Sequence, residues 1–297
     1  MTPLDPTMES YRLAKPALSR SFANAAADYE RHAVLQRVVA DRLDEHLDAI
    51  RLQPKLGIDI GAGTGLSSKL LLKRYRDMRL LMLDIALPML QQARRVGMCW
   101  GERHCWVCGD AERLPFTAAI ADLLVSSLTL QWCVDLDATF RGFRRIARPG
   151  ALLLFSTLGP DTLRELRASW RQVDETPHVH LFMDMHDVGD ALIRTGWSSP
   201  VLEVETITLQ YIDVFTLMHD LKGLGAHNAT IGRRSTLTGR GRMQRLVDAY
   251  ESWRGSALLP ASFEVIYGHA WAPESGERRQ DGSTVASFPI DRLGRRR

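Results

Sequence analysis

The chain has 297 residues, 45% apolar and 25% charged, with a formal net charge of +3. Those values describe a soluble globular protein with a sizeable core, in one large domain or two small ones. No apolar run can span a bilayer, and the start, MTPLDPTMESYRLAK, lacks the apolar core of a signal peptide, so a cytoplasmic protein is expected. Residues 1–20 read as a flexible N-terminus. Ser21–Leu52 reads as helix, with Phe22, Tyr29, Val34, Leu35, Val38, Val39, Leu43 and Leu47 along a broken apolar stripe.

Next comes KLGIDIGAGTGL, Lys55–Leu66. Leu56, Ile58 and Ile60 predict a short buried strand, Gly61, Gly63 and Gly65 a tight turn, and Leu66, Leu70 and Leu71 a helix. Such a corner lets a ligand press against main-chain N–H groups at the positive end of a helix. The spacing is G-x-G-x-G, not the G-x-G-x-x-G of dinucleotide enzymes, and no P-loop lysine follows, which points away from a pyrophosphate. A second strand over Arg79–Asp84 ends in a carboxylate suited to ribose hydroxyls. Further strands are expected over His104–Cys108, Ala121–Ser127 and Ala151–Ser156, with helices near 88–95 and 137–147 and a turn at Pro149-Gly150. Five strands alternating with helices imply a parallel sheet covered on both faces. Gly61, Asp84, Asp110 and Ser127 all fall at strand ends and should converge on one crevice.

Beyond this half, helices are expected over Pro160–Val173, Asp187–Thr195, Asp213–Leu224 and Met243–Trp253, and strands over Val201–Leu209 and Phe263–Trp271. Cap elements are placed at about 158–186 and 210–260, within one domain running over 21–271; residues 272–297 read as a disordered basic tail. Cys105 and Cys108 form a CxxC on a strand, where residues three apart face opposite sides, so they read as reduced structural thiols. His178 and His180 have no acid-rich ligand set nearby, and no metal is expected.

The runs IDIGAGTG, LMLDIA, GDAERLPF, SSLTLQW and RPGALLLFST together resemble the class I S-adenosylmethionine-dependent methyltransferases. That resemblance implies an α/β, Rossmann-like fold: a seven-stranded, mostly parallel sheet with helices on both faces and a helical cap inserted before the last strand. It also implies S-adenosyl-L-methionine as cofactor. Gly61, Gly63 and Gly65 would line its methionyl end, Asp84 would hold the ribose, and Asp110 would accept from the adenine amino group. Ile85, Met89 and Ala111 would surround the ring, and Ser127 and Gln131 complete the expected cofactor set. Ala62 stands where a Cys is common, Ala86 where a helix-capping Ser is frequent, and Ser127 where Asn is frequent.

SFANAAADYERHAVLQ, FSTLGPDTLRELR, FMDMHDVGDAL, DLKGLGAHNA, LTGRGR and FEVIYGHAW extend the likeness from Ser21 to Trp271. They resemble the malonyl-acyl-carrier-protein O-methyltransferases of biotin synthesis. The implied reaction is methylation of the free carboxylate of a malonyl thioester, carried by acyl carrier protein or by coenzyme A, with no nucleic acid or membrane partner. GPDTLRELR and DLKGLG are also similar to a mitochondrial methyltransferase-like arginine hydroxylase that assists complex I assembly. The alternatives are therefore a methyltransferase on another small acid or quinone precursor, and a cofactor-binding modification or assembly factor.

A carboxylate is already ionised at neutral pH and needs no general base, so the missing His–Asp pair is expected. Tyr29, Arg164 and His227 are the candidates for positioning the substrate. Arginines cluster at Arg141–Arg148, at Arg164–Arg171 and around Gly232–Arg245; the third cluster, read as a glycine-rich loop, is the expected docking site for an acidic carrier.

Overall fold

The computed structural model describes residues 14–95, 103–226, 238–255 and 257–274. Its sheet contains β1 (Leu56–Ile60), β2 (Arg79–Asp84), β3 (His104–Cys108), β4 (Ala121–Ser126), β5 (Ala147–Leu158), β6 (Ser198–Tyr211) and β7 (Leu259–Trp271). The strand order is β3-β2-β1-β4-β5-β7-β6, seven strands in one sheet. The β1–β2, β1–β4, β2–β3 and β4–β5 ladders are parallel. Among the described residues the helices are α1 (Lys15–Ala25), α2 (Tyr29–His32), α3 (Val34–His46), α4 (Leu66–Arg74), α5 (Leu87–Arg95), α6 (Leu136–Ile146), α7 (Arg164–Arg171), α8 (Met185–Arg194), α9 (Val214–Gly223) and α10 (Arg240–Glu251). None is long and apolar enough to cross a membrane.

The chain divides into two compact units. The first holds the described residues of Gln36–Thr157, Asp184–Val204 and Ile266–Arg297. Its core follows from the sequence period: Ile58, Ile60, Leu83, Leu124, Leu153 and Phe155 come from buried strands, and Phe140, Phe143 and Ile146 from the apolar stripe of α6. Asp135 starts α6 by accepting the Ala138 N–H at 2.8 Å. Asp122, an acid inside β4, accepts the N–H groups of Lys55 and Leu56 at 2.8 and 2.9 Å and so sets where β1 begins. Arg74 at the end of α4 bonds both carboxylate oxygens of Asp44 on α3 at 2.8 Å.

The second unit holds the described residues of Met1–Leu35, Leu158–Met183 and Glu205–Val265. Within it α7 and α10 pack together, and the buried Glu165 accepts the Ser262 N–H at 3.1 Å and its hydroxyl at 2.6 Å. His32 Nδ1 lies 2.8 Å from Asp220 Oδ1, and Ser21 Oγ donates to the Gly225 carbonyl at 2.8 Å.

Several boundaries differ from the sequence reading. The stretch read as flexible already contains the start of α1, where Pro16 occupies the first turn. Ser21–Leu52 is broken at Ala26–Asp28 and Ala33 into α1, α2 and α3. β5 begins at Ala147, not Ala151, and a register shift between Ala121 and Leu123 absorbs Pro149-Gly150. Arg148 is therefore on a strand, where it bonds Asp122 at 2.8 Å. Arg240, Arg242 and Arg245 lie on α10 and not in a loop; Arg233, Arg234 and the tail from 275 lie outside the described residues.

Candidate active site

The glycine turn is built from three positive-φ residues, Gly61 at 78°, Gly63 at 55° and Gly65 at 85°. The N–H groups of Gly61 and Ala62 both donate to the Leu83 carbonyl, at 2.7 and 2.9 Å, which ties the turn to the end of β2. Gly65, in the left-handed region, opens α4. Two of the glycines are glycine for different reasons. A Cβ on Gly61 would lie 2.0 Å from Thr129 Oγ1, because the Thr129 side chain already covers that α-carbon. A Cβ on Gly63 would meet nothing within 4 Å, so this face of the turn is open.

Asp84 closes the turn from below. Its Oδ2 accepts the Gly63 N–H at 2.9 Å and its Oδ1 accepts the Ala86 N–H at 2.8 Å. The side chain is buried. Burial raises its pKa, and the two backbone N–H bonds offset part of that rise. Asp59, one strand residue before Ile60, is a second buried carboxylate: its Oδ2 accepts from Ser68 Oγ at 2.5 Å, while its Oδ1 has no hydrogen-bond partner.

The residues expected to surround the ring are placed as follows. The Gly109 N–H donates to the Asp84 carbonyl at 3.0 Å, which holds the β3 end against β2. Asp110 Oδ1 accepts the Glu112 N–H at 3.0 Å, fixing that turn. Met89 and Ala111 are buried, and Ile85 is half-buried beside them in sequence. Beyond β4, Gln131 braces its own loop: Nε2 donates to the Leu128 carbonyl at 2.7 Å, and Oε1 accepts from Thr157 at 3.4 Å. Sequence reasoning missed Thr129, Leu128 and Ser156. Only Ser156 carried a signal, a hydroxyl at the end of the apolar run LLLF.

Tyr29 opens α2 and is half-buried, and Arg164 opens α7, where its Nε lies 3.4 Å from Glu165. Both belong to the second unit. His227 lies outside the described residues.

Residues 58–155 match the model of a family described as a methyltransferase domain. The fold is similar to the YcgJ protein of Bacillus subtilis, 14% identical over 79% of this chain and 100% of that one, with a TM-score of 0.57. It is also similar to phosphoethanolamine N-methyltransferase 2 of Haemonchus contortus, solved with S-adenosyl-L-methionine: 16% identical, covering 85% of this chain and 57% of that one, TM-score 0.51. Sheet order, glycine turn and the carboxylate beneath it define a class I S-adenosylmethionine-dependent methyltransferase. Within that class the chain is 46% identical to the malonyl-[acyl-carrier protein] O-methyltransferase of Methylovorus sp. strain MP688, over 95% of this chain and 97% of that one. It is 43% identical to the enzyme of the same name from Gallionella capsiferriformans strain ES-2, over 95% and 100%. The chain belongs to the malonyl-[acyl-carrier protein] O-methyltransferase family.

Proposed function

We propose that this cytoplasmic enzyme methylates the free carboxylate of a malonyl thioester on acyl carrier protein, the step that masks the acid for biotin synthesis. What carries the reading is the clasp of Gly63 and Asp84 inside a chain that matches its relatives over 95% of its length. The turn fits S-adenosylmethionine: Gly63 leaves its outer face open, and each Asp84 oxygen spends one lone pair on the fold and keeps another for a ribose hydroxyl. When bound, the cofactor supplies an electrophilic methyl group on a sulfonium. The residues around it position and exclude water. The nucleophile arrives ionised, so no proton has to be removed, and holding it in attack geometry can supply roughly 7–11 kcal/mol. Carboxylate and sulfonium charges cancel along the reaction, so a site closed to water favours it. Tyr29, Arg164 and His227 are our candidates for gripping and covering the acid. Incubation with malonyl-carrier and labelled S-adenosylmethionine, read by intact mass, should add one methyl group per carrier; an unmodified carrier rejects the reading.

Asp84→Ala should weaken S-adenosylmethionine binding by about 1.5–3 kcal/mol, roughly 10- to 150-fold, the range for hydrogen bonds to a charged group. Because Asp84 also holds the Gly63 and Ala86 N–H groups, its melting temperature should fall as well. Calorimetry below the melting range separates the two effects, and equal affinity for variant and parent rejects the ribose role.

For the carrier, the described arginines sort themselves. On α6, Arg145 donates to the carbonyls of Phe116 and Leu114, at 2.6 and 3.0 Å, so it is engaged by the fold. Arg240, Arg242 and Arg245 on α10 have no carboxylate partner among the described residues. We place the acidic carrier against this helix start. Rim charges act mainly on association rate and salt dependence. Reversing Arg240 and Arg242 to Glu should raise KM for malonyl-carrier and leave turnover of a protein-free malonyl thioester nearly unchanged. If both substrates suffer alike, the helix start is structural.

A further inference from the structure

The turn that ends β4 holds a residue in a strained conformation. Leu128 sits at φ 47°, a region that branched side chains seldom enter. It stays there because its N–H donates both to Ser156 Oγ at 3.0 Å and to the Ser156 carbonyl at 3.1 Å. Thr129 Oγ1 adds a bond to the Ser127 carbonyl at 3.1 Å. Backbone strain that surroundings hold in place concentrates at functional sites.

The polarity of these bonds points to a use. Ser156 is fully buried in β5, and its Oγ accepts from Leu128, so its own proton is the one left to give. Ser127 Oγ lies 3.5 Å away and accepts it. With Ser156 donating to Ser127, donation runs from Leu128 N–H to Ser156 and from Ser156 O–H to Ser127. Ser127 accepts from inside the fold and keeps its own proton for a group outside it. The residue is half-buried. It stands at the carboxyl end of β4, next to β1 in the sheet, and its neighbour Thr129 rests on Gly61. That is where parallel α/β sheets place ligands.

We infer that the Ser127 hydroxyl donates a hydrogen bond to the malonyl carboxylate and that Ser156 is a positioning residue that aims it; this rests on the substrate reading above. The chemistry suits a neutral donor. A hydroxyl orients one carboxylate oxygen without adding a full charge and leaves the other oxygen to attack. The Ser127 proton stays on Ser127 throughout.

The test uses the full-length enzyme. Ser127→Ala should raise the Kd of malonyl-carrier, measured with S-adenosylhomocysteine present, about tenfold, and lower kcat/KM about 10- to 100-fold. Ser127, which the resemblance put in the cofactor set, is assigned here to the substrate instead, so the Kd for S-adenosylmethionine should stay within about twofold of the parent. Ser127→Asn, which restores a donor, should recover part of the loss. Ser156→Ala leaves the Leu128 N–H its carbonyl partner, so the turn should persist while kcat/KM drops severalfold. In a Ser127→Ala background that second change should add nothing. The inference is overturned if Ser127→Ala leaves carrier Kd and kcat/KM unchanged, if only cofactor affinity moves, or if the two losses simply add. A parent enzyme inactive on malonyl-carrier overturns the substrate reading and this inference with it; an active parent with an indifferent Ser127→Ala overturns this inference alone.

Discussion

Gly61→Ala should cost the folded protein about 3–5 kcal/mol, the sum of left-handed backbone strain and overpacking in a site with no slack. The backbone at Gly61 has φ 78°, and the new Cβ would lie 2.0 Å from Thr129 Oγ1 and 2.6 Å from its Cγ2. Thr129 cannot easily withdraw, because its hydroxyl is bonded to the Ser127 carbonyl and the Trp132 N–H holds its carbonyl at 2.9 Å. Urea unfolding of the single variant measures the total. Adding Thr129→Gly removes the collision and leaves only the strain, so roughly half of the loss should return. Gly63→Ala is the contrast: with nothing within 4 Å of its Cβ it should cost only the strain, while the methyl intrudes where the cofactor approaches. A Gly61→Ala protein within about 1 kcal/mol of the parent, or one that Thr129→Gly does not relieve, would show that the two loops yield independently.

That contrast marks what the sequence can and cannot convey. The strand-turn-helix corner and the acid at the end of β2 are local patterns, and both stand where the spacing puts them. The reason for Gly61 is not local: it is Thr129, far along the chain, brought over by the β1–β4 pairing. Asp84 stood out in the sequence as an acid at a strand end, but not as the buried acceptor of two backbone N–H groups, since only the folded turn aims those groups at it. Ser156 reads as one more residue of an apolar strand until β4 and β5 lie side by side and its hydroxyl meets Leu128. Arginine spacing misled in the same way. Arg144 and Arg145 share a helix face in sequence, yet Arg145 is drawn to the carbonyls of Leu114 and Phe116, and the glycines at 239 and 241 disguised a helix start as a loop. Tyr29 and Arg164 carry side chains that suit an acid, and nothing in their spacing says what they face.

The contribution of Asp59 to stability should be lost as pH rises from about 4 to about 7, while buried His180, its pKa lowered to about 4, contributes in the opposite sense, so the Asp59 effect is read by difference. This carboxyl sits in β1 at 1% exposure, with one oxygen held by Ser68 and the other without a partner. Burial pushes its pKa up to about 7, the Ser68 bond pulls it down, and the nearby Asp84 charge pushes it up again. The unfolded chain releases this proton near pH 4, whereas the folded protein holds it to about pH 7. At Asp59 the folded state therefore binds more protons across that window, so this group's contribution is greatest below the window and is lost through it. Three pH units correspond to about 4 kcal/mol as an order of magnitude. Asp59→Asn keeps an acceptor for Ser68 and never ionises. Its stability relative to the parent should grow between pH 5 and pH 8, with the variant gaining several kcal/mol across that range. Paired denaturation curves at the two pH values measure the difference directly and cancel any constant penalty from the new amide. Asp84→Asn should shift the same transition to lower pH, because it removes the second charge that disfavours ionised Asp59. Parallel pH profiles for parent and Asp59→Asn would mean that Asp59 stays ionised in the fold, its charge met by a group or a water at the oxygen that here has no partner.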